Sequence, residues 1–268
     1  MVIQSASSFL IDFVSSSLPL IGVMVLVTAV EFAVPLHRRN SSGRRARINL
    51  ALVAVTLGLY FVLGTALVAL LVYAHSKGWG LVSVPAGWIG VLITVLVLDF
   101  ATWLAHWSMH KVPFLWRLHL VHHSDVLVDV TTSFRQHPGE GLWRVLMIAS
   151  FALVIGATPA AYLAYRALSA FNAVLEHGNF RTPCWVDRWL SLIWVTPNYH
   201  KLHHSIRQTE TDTNFGNLFS FFDRLFRTHS SPLRAAEVTY GIEEYENAGE
   251  FGFLKTLGIP VRHKKSRP

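Results

Sequence analysis

Eight of the chain's 14 histidines fall into three tight groups. "HWSMH" places His106 and His110 four apart, "HLVHH" contains His119, His122 and His123, and "HKLHH" repeats that spacing at His200, His203 and His204. On a helix, residues three and four apart share a face, with Cβ atoms about 5–6 Å from one another. Each triplet therefore makes a fork of imidazoles aimed in one direction, and His106/His110 is a two-pronged version. Protonated, these rings would repel one another. Neutral and unpaired, each would suffer desolvation. A metal removes both problems by giving each ring lone pair a cation. Eight or more imidazoles are too many for one ion, since zinc prefers about four ligands and a catalytic zinc keeps about three beside water. Two ions with four or five imidazoles each fit better. Imidazole suits iron, zinc and copper alike, so ligand type alone does not choose the metal.

The elements that must carry these forks are membrane helices. The chain has 268 residues, 52% hydrophobic and only 15% charged, with mean hydropathy +0.39, whereas a soluble domain is about a quarter charged. Apolar stretches at 18–36 and 48–74 pass the ~18-residue threshold for spanning, and 88–104 reaches it with its aromatic flanks. The opening "MVIQSASSFLIDF" has no Lys or Arg, so it lacks the basic region of a signal peptide; residues 1–17 read as an amphipathic lead-in. The lone cysteine, Cys184, excludes an intrachain disulfide. The net charge of +7 is not a nucleic-acid surface, because Arg38, Arg39, Arg44, Arg45 and Arg47 sit between the first two spans and a second basic cluster, "RHKKSRP", closes the chain. The positive-inside rule puts that arginine loop in the cytoplasm and the N-terminus outside.

The chain then re-emerges in the cytoplasm near His106. Two further apolar halves, 142–156 and 159–176, are separated by "GATP", a turn signal, and interrupted by Arg144 and Arg166. They form a hairpin returning to the cytoplasmic side, as a thin pair of spans or a re-entrant dip. The expected fold is an all-α integral membrane protein of four to five membrane helices. Residues 18–177 form the membrane region with the first two histidine groups. A helical cytoplasmic cap, 178–268, bears the third and the basic tail.

Set on membrane helices at these intervals, the three histidine boxes resemble the fatty acid hydroxylase/sterol desaturase superfamily of integral-membrane di-iron oxidases. "DFATWLAHWSMHKVPFLWRLHLVHHSD" resembles the family's first two boxes, "TTSFRQHPGE" its T-x-x-R-x-H-P-x-E segment, "EHGN" its isolated His before Asn, and "TPNYHKLHHS" its third box. "NFGNLFSFFDRLFRT" resembles the closing signature, with Arg227 where Gly is common. The resemblance runs from Asp99 to Thr228. It implies two iron ions, O2 as co-substrate, and two further ligands, His137 and His177. His37, His75, His229 and His263 read as solvated. The histidines are thus ligands rather than general bases, and carboxylates accepting their outer N–H groups are expected to orient them. Asp99, Asp129, Glu140, Glu176 and Asp223 are the candidates.

In family terms, the metal pair activates O2 to abstract hydrogen from an unactivated C–H bond. The expected activity is hydroxylation of a lipid (fatty acyl, sterol-like or isoprenoid), with desaturation as the alternative on the same scaffold. Trp103, Trp107, Phe114 and Trp116 read as lining the lipid's path or as an interfacial belt. No haem domain, cysteine set or dinucleotide fingerprint is evident, so electrons are expected from a separate carrier protein. A zinc-dependent membrane hydrolase is a more distant reading; it requires fewer ligands. A metal transporter would need a polar path, and the spans offer only Glu31, Asn49 and Asp99. Modest length and the absence of a retention tail point to a bacterial inner membrane.

Overall fold

The computed structural model describes residues 6–38, 43–82, 84–245 and 247–263. The first five residues of the lead-in, Arg39 and the tail at Lys264, Lys265 and Arg267 lie outside the described residues. Among the described residues the chain is all helical, with three isolated bridges and no strand. Helices α1 (Ala6–Ala33), α2 (Gly43–Ser76) and α3 (Trp88–Lys111) contain the three segments long and apolar enough to cross a bilayer. Val25, Phe32, Val62 and Val72 are exposed on the outer faces of α1 and α2, as lipid-facing positions must be. This is an all-α integral membrane protein.

Helix α1 reaches back to Ala6, so much of the lead-in belongs to the first helix. The run Ser15–Ser17 permits this, because each satisfies its hydroxyl locally: Ser15 donates to Asp12 O, and Ser16 and Ser17 donate to Phe13 O. Helix α4 (Pro113–His123) follows α3 directly, and the expected hairpin is α5 (Pro138–Val154) and α6 (Pro159–His177). Gly156, at φ 60°, ends α5. Thr158 then caps α6 by accepting from Ala161 N at 3.2 Å, with Pro159 in the first turn. At 17 and 19 residues, these helices measure about 26 and 28 Å, just short of the ~30 Å hydrocarbon thickness. Leu71, Leu98, Ile148 and Tyr165 join α2, α3, α5 and α6 in one core.

Beyond α6 the chain makes short helices, among them α7 (Cys184–Leu190), α8 (Pro197–His203), α9 (Gln208–Thr211) and α10 (Phe221–Leu225). Arg45, counted above as a loop charge, is instead buried at the start of α2. Its Nε donates to Asp125 Oδ1 at 2.5 Å and its Nη1 to Asp129 Oδ2 at 2.9 Å. The polar span residues are also committed. Glu31 accepts from Val130 N and Asn179 N, Asn49 donates to Asp125 and Thr131, and Asp99 accepts from Leu218 N and Phe219 N. They tie helices to loops rather than forming a polar path.

Candidate metal centre

A corner brings the first two boxes together. Val112 is extended (φ −99°, ψ 116°) because it precedes Pro113, and Pro113 supplies no N–H to continue α3. Helix α4 therefore turns away, and His119 Nε2 comes to 3.1 Å from His106 Nε2. The third box rides on α8, which Thr196 caps and Pro197 opens. His177 is the last residue of α6. Gly178 follows it because a Cβ there would stand 2.5 Å from the Phe180 ring.

The histidines converge as two buried groups. One contains His106, His110, His119, His123 and His203; the other contains His122, His177, His200 and His204. Within each group the ligand atoms lie within 4.8 Å of one another. In the second group the Nε2–Nε2 distances are 3.2 Å (His122–His177), 3.1 Å (His177–His200) and 3.2 Å (His200–His204). The two triplet forks are thus divided between groups rather than each aimed at one point, while His106 and His110 stay together. Neighbouring residues project about 100° apart around a helix, and the ring planes of His122/His123 and His203/His204 cross at 87° and 88°. The second and third boxes each bridge both groups, whereas His106 and His110 of the first box both belong to the five-histidine group.

The outer ring nitrogens of five of the nine are anchored, which turns their lone pairs inward. His106 Nδ1 donates to Phe215 O at 2.9 Å, His203 Nδ1 to Thr213 O at 2.7 Å and His177 Nδ1 to Ala173 O at 2.7 Å. His119 Nδ1 meets Glu140 Oε1 at 3.0 Å, and His110 Nδ1 meets Asp212 Oδ1 at 3.3 Å. Carbonyl and carboxylate oxygens only accept, so these contacts fix the tautomer with Nε2 unprotonated. Burial, reinforced by neighbouring imidazoles, holds His122, His123, His200 and His204 well below the usual histidine range. Neutral imidazoles with converging lone pairs are a donor set for cations. The nine residues fit two ions, one per group.

The segment 212–215 clamps three of these rings, and sequence reasoning did not single it out. Asp212 is a readable carboxylate beside the "NFG" signature, but the Thr213 and Phe215 contacts use backbone oxygens, which side-chain identity cannot reveal. Asn214, at φ 58°, turns the chain between them.

The remaining candidates have other uses. His137 stands in neither group: its Nδ1 accepts from Gly139 N at 3.0 Å, so it serves as the N-cap of α5. Of the five carboxylates, Glu140 directly meets a clustered ring nitrogen. Glu176 Oε1 is farther away, 3.7 Å from His177 Nδ1 and 4.0 Å from His200 Nε2. Asp129 pairs with Arg45. Asp223 accepts from Phe215 N and Gly216 N, both at 2.9 Å, and from Trp103 Nε1 at 2.9 Å. It thus supports the clamp rather than an imidazole. Asp99 does likewise for the turn at 217–219, because backbone donors inside the bundle need an acceptor. Trp103 and Trp116 are buried in the protein rather than arrayed as a belt. His263 is also buried, 2.9 Å from Glu244, instead of solvated. Lys201 is fully buried, donates from Nζ to Gly178 O, and is pushed down to about 7 by burial.

A small cavity of about 50 Å³ reaches the centre, with His106, His122, His177 and His200 in its wall and Tyr60, Arg144 and Arg166 also lining it. Side chains from α2, α3, α5 and α6 enclose it, so a molecule within would touch both the histidines and the helical bundle.

This arrangement has counterparts among known proteins. The chain is 30% identical to an ornithine lipid hydroxylase of Rhizobium tropici, over 79% of this chain and 62% of that protein. It is 28% identical to an alkylglycerol monooxygenase of Caenorhabditis elegans, over 56% of this chain and 28% of that protein. It is also 28% identical to a very-long-chain aldehyde decarbonylase of Oryza sativa subsp. japonica, over 52% of this chain and 53% of that protein. The chain thus spans under two thirds of each relative's length. No solved structure gives a significant match. The fatty acid hydroxylase family matches residues 91–228, just over half of the chain and the stretch holding every clustered histidine, and to that family the chain belongs.

Proposed function

We propose that this chain is a membrane-bound di-iron oxygenase that uses O2 and externally supplied electrons to hydroxylate an unactivated C–H bond of a lipid. The observation that carries the reading is the pair of buried histidine groups opening onto one cavity inside an apolar bundle. His106, His110, His119, His123 and His203 would hold one iron, and His122, His177, His200 and His204 the other. When bound, such a pair supplies the oxidising power that protein side chains lack. The chain's own residues position and seclude. Glu140 and Asp212 hold imidazole N–H groups, and the carbonyls of Ala173, Thr213 and Phe215 fix three further rings. Eight of the nine histidines come from the three boxes, and the second and third boxes each contribute to both groups, so a displacement of either would disturb both irons.

Two relatives are named as a lipid hydroxylase and a monooxygenase, which favours hydroxylation over desaturation. A separate electron carrier would dock on the cytoplasmic side, where the positive-inside rule puts the cap. The test is turnover of membrane lipid under 18O2, followed by mass spectrometry. Lipid carrying one labelled oxygen is expected. Unlabelled lipid two hydrogens lighter would make the chain a desaturase, and turnover without O2 would make it a hydrolase.

A further inference from the structure

The wall of the cavity carries two positive charges. Arg144 on α5 and Arg166 on α6 both line it. Arg144 donates from Nε to Glu140 Oε1 at 3.1 Å, but that carboxylate is already shared with His119. Arg166 has no carboxylate within ion-pair reach among the described residues. Its guanidinium lies over the Tyr60 ring, 5.0 Å from the centroid, and the Tyr60 hydroxyl donates to Gln136 Oε1 at 2.7 Å. Stacking on a ring holds a guanidinium by its face and leaves its N–H edge for a planar or tetrahedral anion. The cavity's own carboxylate, Glu176, stands beside His177 and His200. Guanidinium groups within an apolar bundle are costly without a partner, and a neutral lipid offers none.

We propose that the cavity binds an acidic group of the lipid, carboxylate or phosphate, at Arg144 and Arg166, and so selects acidic lipids over neutral ones. The identification of that lipid as a substrate rests on the oxygenase reading above; the binding site itself does not. Because the arginines and four of the histidines line one cavity, the carbon attacked lies near the acidic end of the lipid rather than at the far end of its chain.

The test is equilibrium binding of three probes with the same chain, palmitate, hexadecyl phosphate and hexadecanol, to anaerobic iron-loaded protein in neutral detergent. At least one acid is expected to bind about tenfold or more tightly than the alcohol. Arg166→Gln is expected to erase that preference with iron content unchanged, Arg144→Gln to weaken it, and Arg166→Lys to restore part of it. The stronger acid identifies carboxylate or phosphate as the preferred group. Equal binding of acid and alcohol, no binding of either acid, or a preference surviving in the Arg144→Gln/Arg166→Gln variant would overturn the proposal. Admitting O2 and reductant then separates the two readings. Arginine-dependent binding without oxygen transfer refutes the oxygenase alone, whereas hydroxylation of hexadecanol as fast as of the acids refutes the acid site alone.

Discussion

At the scale of single residues, orientation of the imidazoles is the function of the surrounding polar groups. Glu140 is fully buried and meets His119 Nδ1 at 3.0 Å. Glu140→Gln is expected to lower iron affinity about 10–100-fold, read as faster iron loss to a chelator in otherwise folded protein. Unchanged retention would show that Glu140 serves Arg144 alone. Asp223 supports the clamp through several buried donors. Asp223→Ala strands them at about 1–3 kcal/mol each, so a large fall in the thermal midpoint is expected, with Asp223→Asn milder. The histidine forks were legible in sequence because the i, i+3, i+4 spacing repeats. Their division between two groups was not, because it depends on the angle at which α4 and α8 approach. Nor was the use of His137 as a cap, since a histidine before Pro-Gly-Glu looks the same in either role.

At the scale of elements, two joints set the centre. Pro113 makes the α3–α4 corner, and the buried Arg45–Asp125–Asp129 cluster ties the start of α2 to the chain just after the second box. Arg135 adds to this joint, donating to Val121 O at 2.9 Å, Asn49 Oδ1 at 2.7 Å and Ser124 Oγ at 2.8 Å. Removing one partner of a buried pair costs about 3–5 kcal/mol. Arg45→Met is therefore expected to destabilise strongly, while Arg47→Gln, at an exposed position of the same helix, should stay within about 0.5 kcal/mol. Thermal unfolding in detergent compares them, and equal effects would remove the joint. Composition and hydropathy revealed the apolar bodies of α2 and α3 but not the polar first turn of α2 or the last turns of α3, and a charge count could not tell Arg45 from Arg47. Burial is decided by where Asp125 lands, some 80 residues later.

At the scale of the molecule, helices α1 to α3 supply the lipid anchor and the short helices beyond α6 close the centre. The expected sidedness is open to a direct check, because the chain has one cysteine, Cys184, and it is exposed on α7. A membrane-impermeant maleimide should label it in inverted vesicles and not in right-side-out ones; the opposite pattern would put the centre on the outer side. Two ions held by interleaved histidines remain the central claim, and metal content per chain tests it most directly. Protein from iron-replete, zinc-poor cells would be compared with His203→Ala, His204→Ala and the double variant. His203 belongs to the five-histidine group and His204 to the four-histidine group. The expected result is about two irons in the parent, a deficit of one in each single variant, and loss of both in the double. One zinc, or no metal, in protein shown to be folded would contradict the account.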